Sequence, residues 1–379
     1  MNDKKLYTPG PLNVSLSTKE AMLVDLGSRD IEFMNTVKYI RSKLLEIAGV
    51  SSDDFTSVPV QGSGTFAIEA VFTTSVPRTN SKVLVLENGA YGVRIGQILN
   101  ALGIQTKTLK FPEDEKVDVK MVEEELMKDQ SFTNVAMVHS ETSSGVLNPI
   151  KEIGVLVEKH LPDASYLVDA MSSFGAIDID MEGSNIDFLV SSANKCLEGV
   201  PGFSYAICRK EMLRKCKGWS RSLVLDLVAQ WEVLERTGQF RFTPPTHAML
   251  AFRQALLEYE KEGGLSGRAQ RYKENCQIIR DGMKSFGFKT LLDASHEGYI
   301  ITSFYFPQHS NFDFQDFYSR LKEKGQVIYP GKVTKATCFR IGNIGHLFPR
   351  DMRHLLLCVK EVCRDMDITL PMDMKQDWI

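Results

Sequence analysis

No run of apolar residues in this chain is long enough to span a bilayer. The short polar start ahead of Tyr7-Thr8-Pro9-Gly10 lacks the apolar stretch of a secretion signal. No block of like charge occurs: Lys and Arg number 45, Asp and Glu 48, for a net charge of −3, so nothing points to nucleic acid. The seven cysteines contain no C-x-x-C pair, and their odd number and irregular spacing read as reduced thiols in a cytoplasm. No set of His, Cys, Asp and Glu has metal-ligand spacing, so no metal is expected. Internal repeats and low-complexity tracts are also missing, which argues against a solenoid or a disordered chain. What remains is a folded chain for which a cytoplasmic location is the expectation.

What is present is a core. The chain has 379 residues, 43% of them hydrophobic, enough for two or more structural units. The central stretch is Phe188-Leu189-Val190-Ser191-Ser192-Ala193-Asn194-Lys195-Cys196-Leu197-Glu198-Gly199-Val200-Pro201-Gly202. It reads as a buried strand that ends in small polar residues, one lysine and a Gly/Pro-rich turn. A lysine cupped this way is suited to form a Schiff base with a carbonyl compound, because burial lowers its pKa and frees the amine. The bland alternative is a lysine solvated at a strand end. Upstream, Tyr166-Leu167-Val168-Asp169 is another apolar strand, ending in a carboxylate. In pyridoxal phosphate enzymes a carboxylate keeps the ring nitrogen protonated, so a strand-end Asp and a strand-end Lys form a suggestive pair at the carboxyl edge of one sheet. Taken alone, Asp169 would be a helix cap or turn residue.

The remaining pattern alternates. Strands are expected at Thr56–Val60, Val83–Leu86, Gln105–Leu109, Asn134–His139 and Phe203–Cys208, and helices at 37–48, 93–102, 119–128 and 151–159. Such alternation predicts a mostly parallel sheet with helices on both faces and its polar turns gathered at one edge. Gln61-Gly62-Ser63-Gly64-Thr65 ahead of an apolar helix has the form of an anion site or of a simple helix cap. Tyr91 in Asn88-Gly89-Ala90-Tyr91-Gly92 could stack on a flat ring or merely anchor its turn, and Thr142 could bond a cofactor hydroxyl or cap a helix. His139 reads as a core histidine. A helix over 223–235 and a stiff Arg241–His247 loop lead to a long helix ending near Glu262, and Gly263-Gly264 marks a boundary. Beyond it the pattern is a small α+β unit: a helix to Ser285, a helix over 312–324, strands at 299–305, 327–329 and 338–341, and a final amphipathic helix. The expected division is an N-terminal arm, 1–20, a large unit, 21–263, and a small unit, 264–379. Arg340 lies inside an apolar strand whose neighbours are all neutral, so it needs either an internal carboxylate or a substrate anion.

Taken together, these motifs resemble those of the fold-type I, class V aminotransferases that use pyridoxal 5'-phosphate. The likeness runs in family order through Thr8–Leu12, Gln61–Gly64, Asn88–Gly92, Met137–Thr142, Val168–Gly175, Ser191–Cys196, Gly199–Phe203 and Phe339–Gly345. It is nearest to the branch that works on 2-aminoethylphosphonate and pyruvate. The resemblance implies an α/β fold with a seven-stranded-type sheet, a homodimer with shared active sites, and production of phosphonoacetaldehyde and L-alanine. It implies that Lys195 holds the cofactor and shuttles the proton, and that Asp169 pairs with the pyridine nitrogen. Tyr91 would stack on the ring and Thr142 touch its hydroxyl side. Ser63, Gly64 and Thr65 would bind the phosphate with Asn194 close by, and Thr243 would reach the neighbouring subunit's cofactor phosphate. Arg340 would hold the substrate acid group, with a second phosphonate donor expected from the Thr8–Asn13 arm. Two positions depart from the family's pattern: Asn194 where glutamine is frequent, and Tyr91 where some relatives have tryptophan. The alternatives are another class V transaminase, such as an alanine–glyoxylate or serine–pyruvate type, a pyridoxal phosphate lyase or desulfurase, and a catalytically dead binding module. A desulfurase needs a cysteine on a mobile loop, whereas Cys196 and Cys338 lie in or beside strand signals.

Overall fold

The computed structural model describes residues 4–334 and 336–372. The extreme ends of the expected arm and small unit lie outside that range. The central sheet has seven strands in the order Phe55–Gln61, Phe203–Arg209, Phe188–Ser192, Ser165–Asp169, Asn134–Val138, Val83–Glu87 and Thr106–Lys110. Only Phe203–Arg209 runs antiparallel to its neighbours. Strands buried on both faces explain the unbroken apolar runs. Successive residues serve opposite cores: Leu84, Leu86, Val135 and Met137 pack with the helices Ile31–Ile47, Ile150–His160 and Thr246–Glu262. Val83, Val85, Ala136 and Val138 pack with the helices Gly64–Ser75, Ala90–Ala101 and Leu227–Thr237.

The parallel register sets the strand ends level. Asp169 pairs with Val138 on one side and Val190 on the other. The turns after Gln61, Glu87, Val138, Asp169 and Ser192 therefore open at one edge, where α/β ligand sites form.

Past Gly263 and Gly264, both left-handed at φ 101° and 65°, the helix Gly264–Ser285 leads to a three-stranded antiparallel sheet of Ile301–Tyr305, Cys338–Gly342 and Tyr329–Pro330. Phe288, Phe304, Phe317 and Phe339 build its core together with the helix Pro349–Asp365. Tyr7 of the N-terminal arm is fully buried in this same core. The arm pairs Lys5–Leu6 in parallel with Gln326–Val327, and Tyr7 Oη donates to Gln326 Oε1 at 2.8 Å.

Several expected bounds shift; the helix expected over 37–48, for one, spans Ile31–Ile47. The helix expected over 223–235 begins at Leu227, because Asp226 caps it by accepting from Ala229 N at 3.0 Å, which leaves Leu223 and Val224 exposed. The strand expected over 327–329 splits around Ile328. Gln326–Val327 serves the arm, while Tyr329–Pro330 joins the antiparallel sheet.

Candidate active site

Eight of the expected residues line one cavity at the sheet edge: Ser63, Gly64, Thr65, Tyr91, Thr142, Asp169, Asn194 and Lys195. Lys195 follows the strand Phe188–Ser192, and its Nζ donates to the carbonyl of Pro9 at 2.6 Å. Burial pushes its pKa down to about 8. The buried Asp169 carboxylate accepts the Met171 amide at 2.9 Å, its one hydrogen bond among the described residues. Burial outweighs that bond and pushes its pKa up to about 7. A carboxyl held this poorly by its own chain is ready for a cationic partner.

The helix Gly64–Ser75 starts at the cavity with its Ser63 hydroxyl uncommitted to capping. Its dipole and free amides make the cavity wall an anion cradle. Space at this wall is tight: a Cβ on Gly64 would run into the thioether of Met171. Opposite, Tyr91 lies in the first turn of the helix Ala90–Ala101. That turn is held by Glu141, whose Oε2 accepts the amides of Tyr91 at 3.1 Å and Gly92 at 3.4 Å. Burial raises the Glu141 pKa despite these bonds and those from Ser143.

Arg340 does not border the cavity directly. Its Nε donates to Pro330 O at 2.9 Å and one terminal nitrogen to Thr142 O at 2.5 Å. It is buried, and among the described residues no carboxylate lies at ion-pair distance. Thr243 lies outside the cavity on an exposed stretch, its carbonyl accepting from Gln61 Nε2. His139 is a buried core residue bonded to Ser173 Oγ at 2.9 Å, and burial lowers its pKa to about 4, so it stays neutral. The expected arm donors are otherwise engaged: Thr8 Oγ1 donates to Pro11 O and the Asn13 amide to Lys4 O.

The residue reading missed Arg94, Met171, Ser172 and Ser192, which also line the cavity, and the Pro9 carbonyl on Lys195. Arg94 had a signal, since it sits three residues after Tyr91 and so on the same helix face.

A parallel-rich sheet with a lysine, a carboxylate and an anion cradle at one edge defines a pyridoxal-phosphate-type aminotransferase architecture. The chain belongs to the family described as Aminotransferase class-V, which matches residues 17–344. It is 47% identical over 357 residues to the 2-aminoethylphosphonate–pyruvate transaminase of Salmonella heidelberg, covering 94% of this chain and 96% of that protein. It is 48% identical to the bifunctional phosphonoacetaldehyde hydrolase/aminoethylphosphonate transaminase of Clostridioides difficile, covering 93% of this chain; there it spans about half of the longer protein, 55%. The solved pyridoxamine–pyruvate aminotransferase of Mesorhizobium loti superposes with a TM-score of 0.87 at 25% identity, over 97% of this chain and 94% of that one. Class V chemistry uses pyridoxal phosphate, and the residues present fit it: an amine of lowered pKa, a poorly satisfied carboxyl and a helix N-terminus open into one cavity.

Proposed function

We propose that this chain transaminates 2-aminoethylphosphonate with pyruvate, giving phosphonoacetaldehyde and L-alanine. The observation that carries the reading is the pairing of Lys195 and Asp169 in one cavity beneath the Gly64–Ser75 helix N-terminus. The names of its relatives support the substrates. When bound, pyridoxal phosphate supplies an electron sink for the carbanion at the substrate carbon. Lys195 Nζ would hold the cofactor and then carry the proton from the substrate carbon across to the cofactor, a task its lowered pKa suits near neutral pH. Asp169 holds positive charge on the ring nitrogen. Ser63, Gly64 and Thr65 grip the phosphate with Asn194 beside them, Tyr91 covers the ring, and Thr142 reaches its hydroxyl side. Arg340 takes the substrate's acid group.

The chain divides into the arm, 1–20, the cofactor-binding unit, 21–263, and the small unit, 264–379. It works as a homodimer with shared sites. In support, Phe66, Val224 and Phe242 are exposed beside Gln61 in one groove near Thr243. The seven cysteines, all unpaired, fit a reducing cytoplasm, and among the described residues no helix is long and apolar enough to cross a membrane. The deciding experiment is alanine formation from pyruvate with a panel of amino donors. Preference for 2-aminoethylphosphonate supports the reading; preference for glyoxylate-linked or serine donors replaces it.

A further inference from the structure

We propose that Lys332 and Arg94 form a second anion anchor beside Arg340, dedicated to the phosphonate end of the amino donor. This rests on the transaminase reading above.

Three cations surround Tyr91. The Arg94 guanidinium lies 5.0 Å from the ring centroid and Lys332 Nζ 4.7 Å. Arg340 adjoins through Thr142, whose side chain bonds Tyr91. None of the three has a carboxylate at ion-pair distance among the described residues. The Arg94 guanidinium has one hydrogen bond, to Thr65 Oγ1 at 3.4 Å, and the Lys332 ammonium has none among those residues. Like charges grouped without a counter-ion repel, and Arg94 and Arg340 add to burial in lowering the Lys332 pKa. The nearby Glu141 does not neutralise them. Its oxygens are committed to the amides of Tyr91, Gly92 and Ser143 and to the Ser143 hydroxyl. Of the three, Arg94 lines the cavity that holds Lys195 and Thr142, while Lys332 and Arg340 adjoin its lining residues Tyr91 and Thr142; a cationic cluster so placed suits an anion.

The chemistry of the two substrates assigns that anion. Pyruvate and alanine carry one planar carboxylate on the reacting carbon. 2-Aminoethylphosphonate carries a tetrahedral group one carbon further out, with three oxygens and up to two charges. Arg340 already gives two of its nitrogens to the carbonyls of Pro330 and Thr142. It can serve a carboxylate, but a dianion needs further cations. Lys332 is placed for that by Gly331, which passes tightly over the Cys338 carbonyl: its amide donates there at 3.0 Å, and no Cβ would fit.

The test uses the cofactor-loaded enzyme and the variants Lys332→Met and Arg94→Gln. The KM for 2-aminoethylphosphonate relative to that for alanine should rise about tenfold or more, the size of one charge-assisted hydrogen bond. Ethylphosphonate, which has no amine, should inhibit the alanine half-reaction of the wild type and do so about tenfold more weakly in each variant. That second measurement separates the anchor from the functional reading: if the wild type prefers another donor but the inhibition pattern holds, the 2-aminoethylphosphonate assignment fails and the site still stands as a phosphonate-binding anchor. An equal loss for alanine and the phosphonate, unchanged ethylphosphonate inhibition, or weakened cofactor binding overturns the anchor; the last would place these cations at the cofactor phosphate.

Discussion

Burial disfavours the charged forms of both Asp169 and Lys195. Burial raises the Asp169 pKa from 3.8 to about 7, so the folded cofactor-free protein keeps a proton that the unfolded chain loses above pH 4. Its stability therefore falls as pH rises from about 4 to about 7. Lys195 works in the opposite sense. With its pKa lowered from 10.5 to about 8, the unfolded chain binds the extra proton between those values, and stability recovers as pH rises through that range. Thermal melts of the cofactor-free protein should pass through a minimum near neutral to slightly alkaline pH. Asp169→Asn should remove the acid-side slope, so that this variant, without cofactor, melts higher than wild type above pH 7. With cofactor it should turn over at least about a hundredfold more slowly, since breaking a buried ion pair costs several kcal/mol. Near-normal turnover would reduce Asp169 to a turn residue. Lys195→Ala should still bind the cofactor yet lose turnover, and borohydride should couple cofactor to the wild type at Lys195 and to the variant not at all. Coupling at another lysine in the wild type would reassign the role.

At the scale of elements, what could be read along the chain was whatever depends on local pattern. The inner strands of the main sheet were legible because double burial makes them nearly continuous apolar runs, the partly exposed edge strand Thr106–Lys110 by its place in the alternation, and the Ser63–Thr65 cradle because glycine and hydroxyl residues precede an apolar helix. The helix Leu16–Glu20 is too short to show a period, and the break at Ile328 depends on a partner 321 residues away, the Lys5–Leu6 strand. Lys332 was invisible for the same reason, since only the fold brings it over Tyr91. The arm is the clearest case. Its prolines signalled an extended segment, but its berth is set by Gly342, whose amide donates to Tyr7 O at 3.0 Å. A Cβ at Gly342 would lie 2.6 Å from Thr8 O, and overpacking of this kind costs about 1–3 kcal/mol. Gly342→Ala should therefore lift the arm and withdraw the Pro9 carbonyl from Lys195. The expected result is faster proteolytic trimming of the N-terminus and a turnover reduced roughly ten- to a hundredfold, the scale of a small misplacement at a reacting group. A variant as protease-resistant as wild type would show that the arm tolerates the methyl.

For the whole molecule, the lysine turn is tied to the C-terminal unit by buried charge. Glu198, two residues past Cys196 and left-handed at φ 57°, accepts from Arg271 at 2.7 Å and from Tyr272 Oη at 2.6 Å. The buried Arg268 donates to Cys196 O and to Glu262. The turn that presents Lys195 thus moves with the helix Gly264–Ser285. Thr243, expected at a cofactor phosphate, does not line the cavity of its own chain and lies in an exposed stretch next to Phe242. If Thr243 acts, it acts in a second copy of the chain. Thr243→Val keeps the shape and removes the hydroxyl, so cofactor affinity should drop about tenfold while light scattering still reports a dimer. The stronger test mixes two defective chains. A heterodimer of Lys195→Ala and Thr243→Val has one site with an intact lysine from one subunit and an intact threonine from the other. After unfolding and refolding together at a cofactor level that leaves Thr243→Val largely unloaded, half the dimers are mixed and each has one good site. Activity should then return to about a quarter of wild type, as two-fold symmetry dictates. If the mixture is no more active than the separate variants, Thr243 serves its own subunit or none, and the shared site is lost from the mechanism.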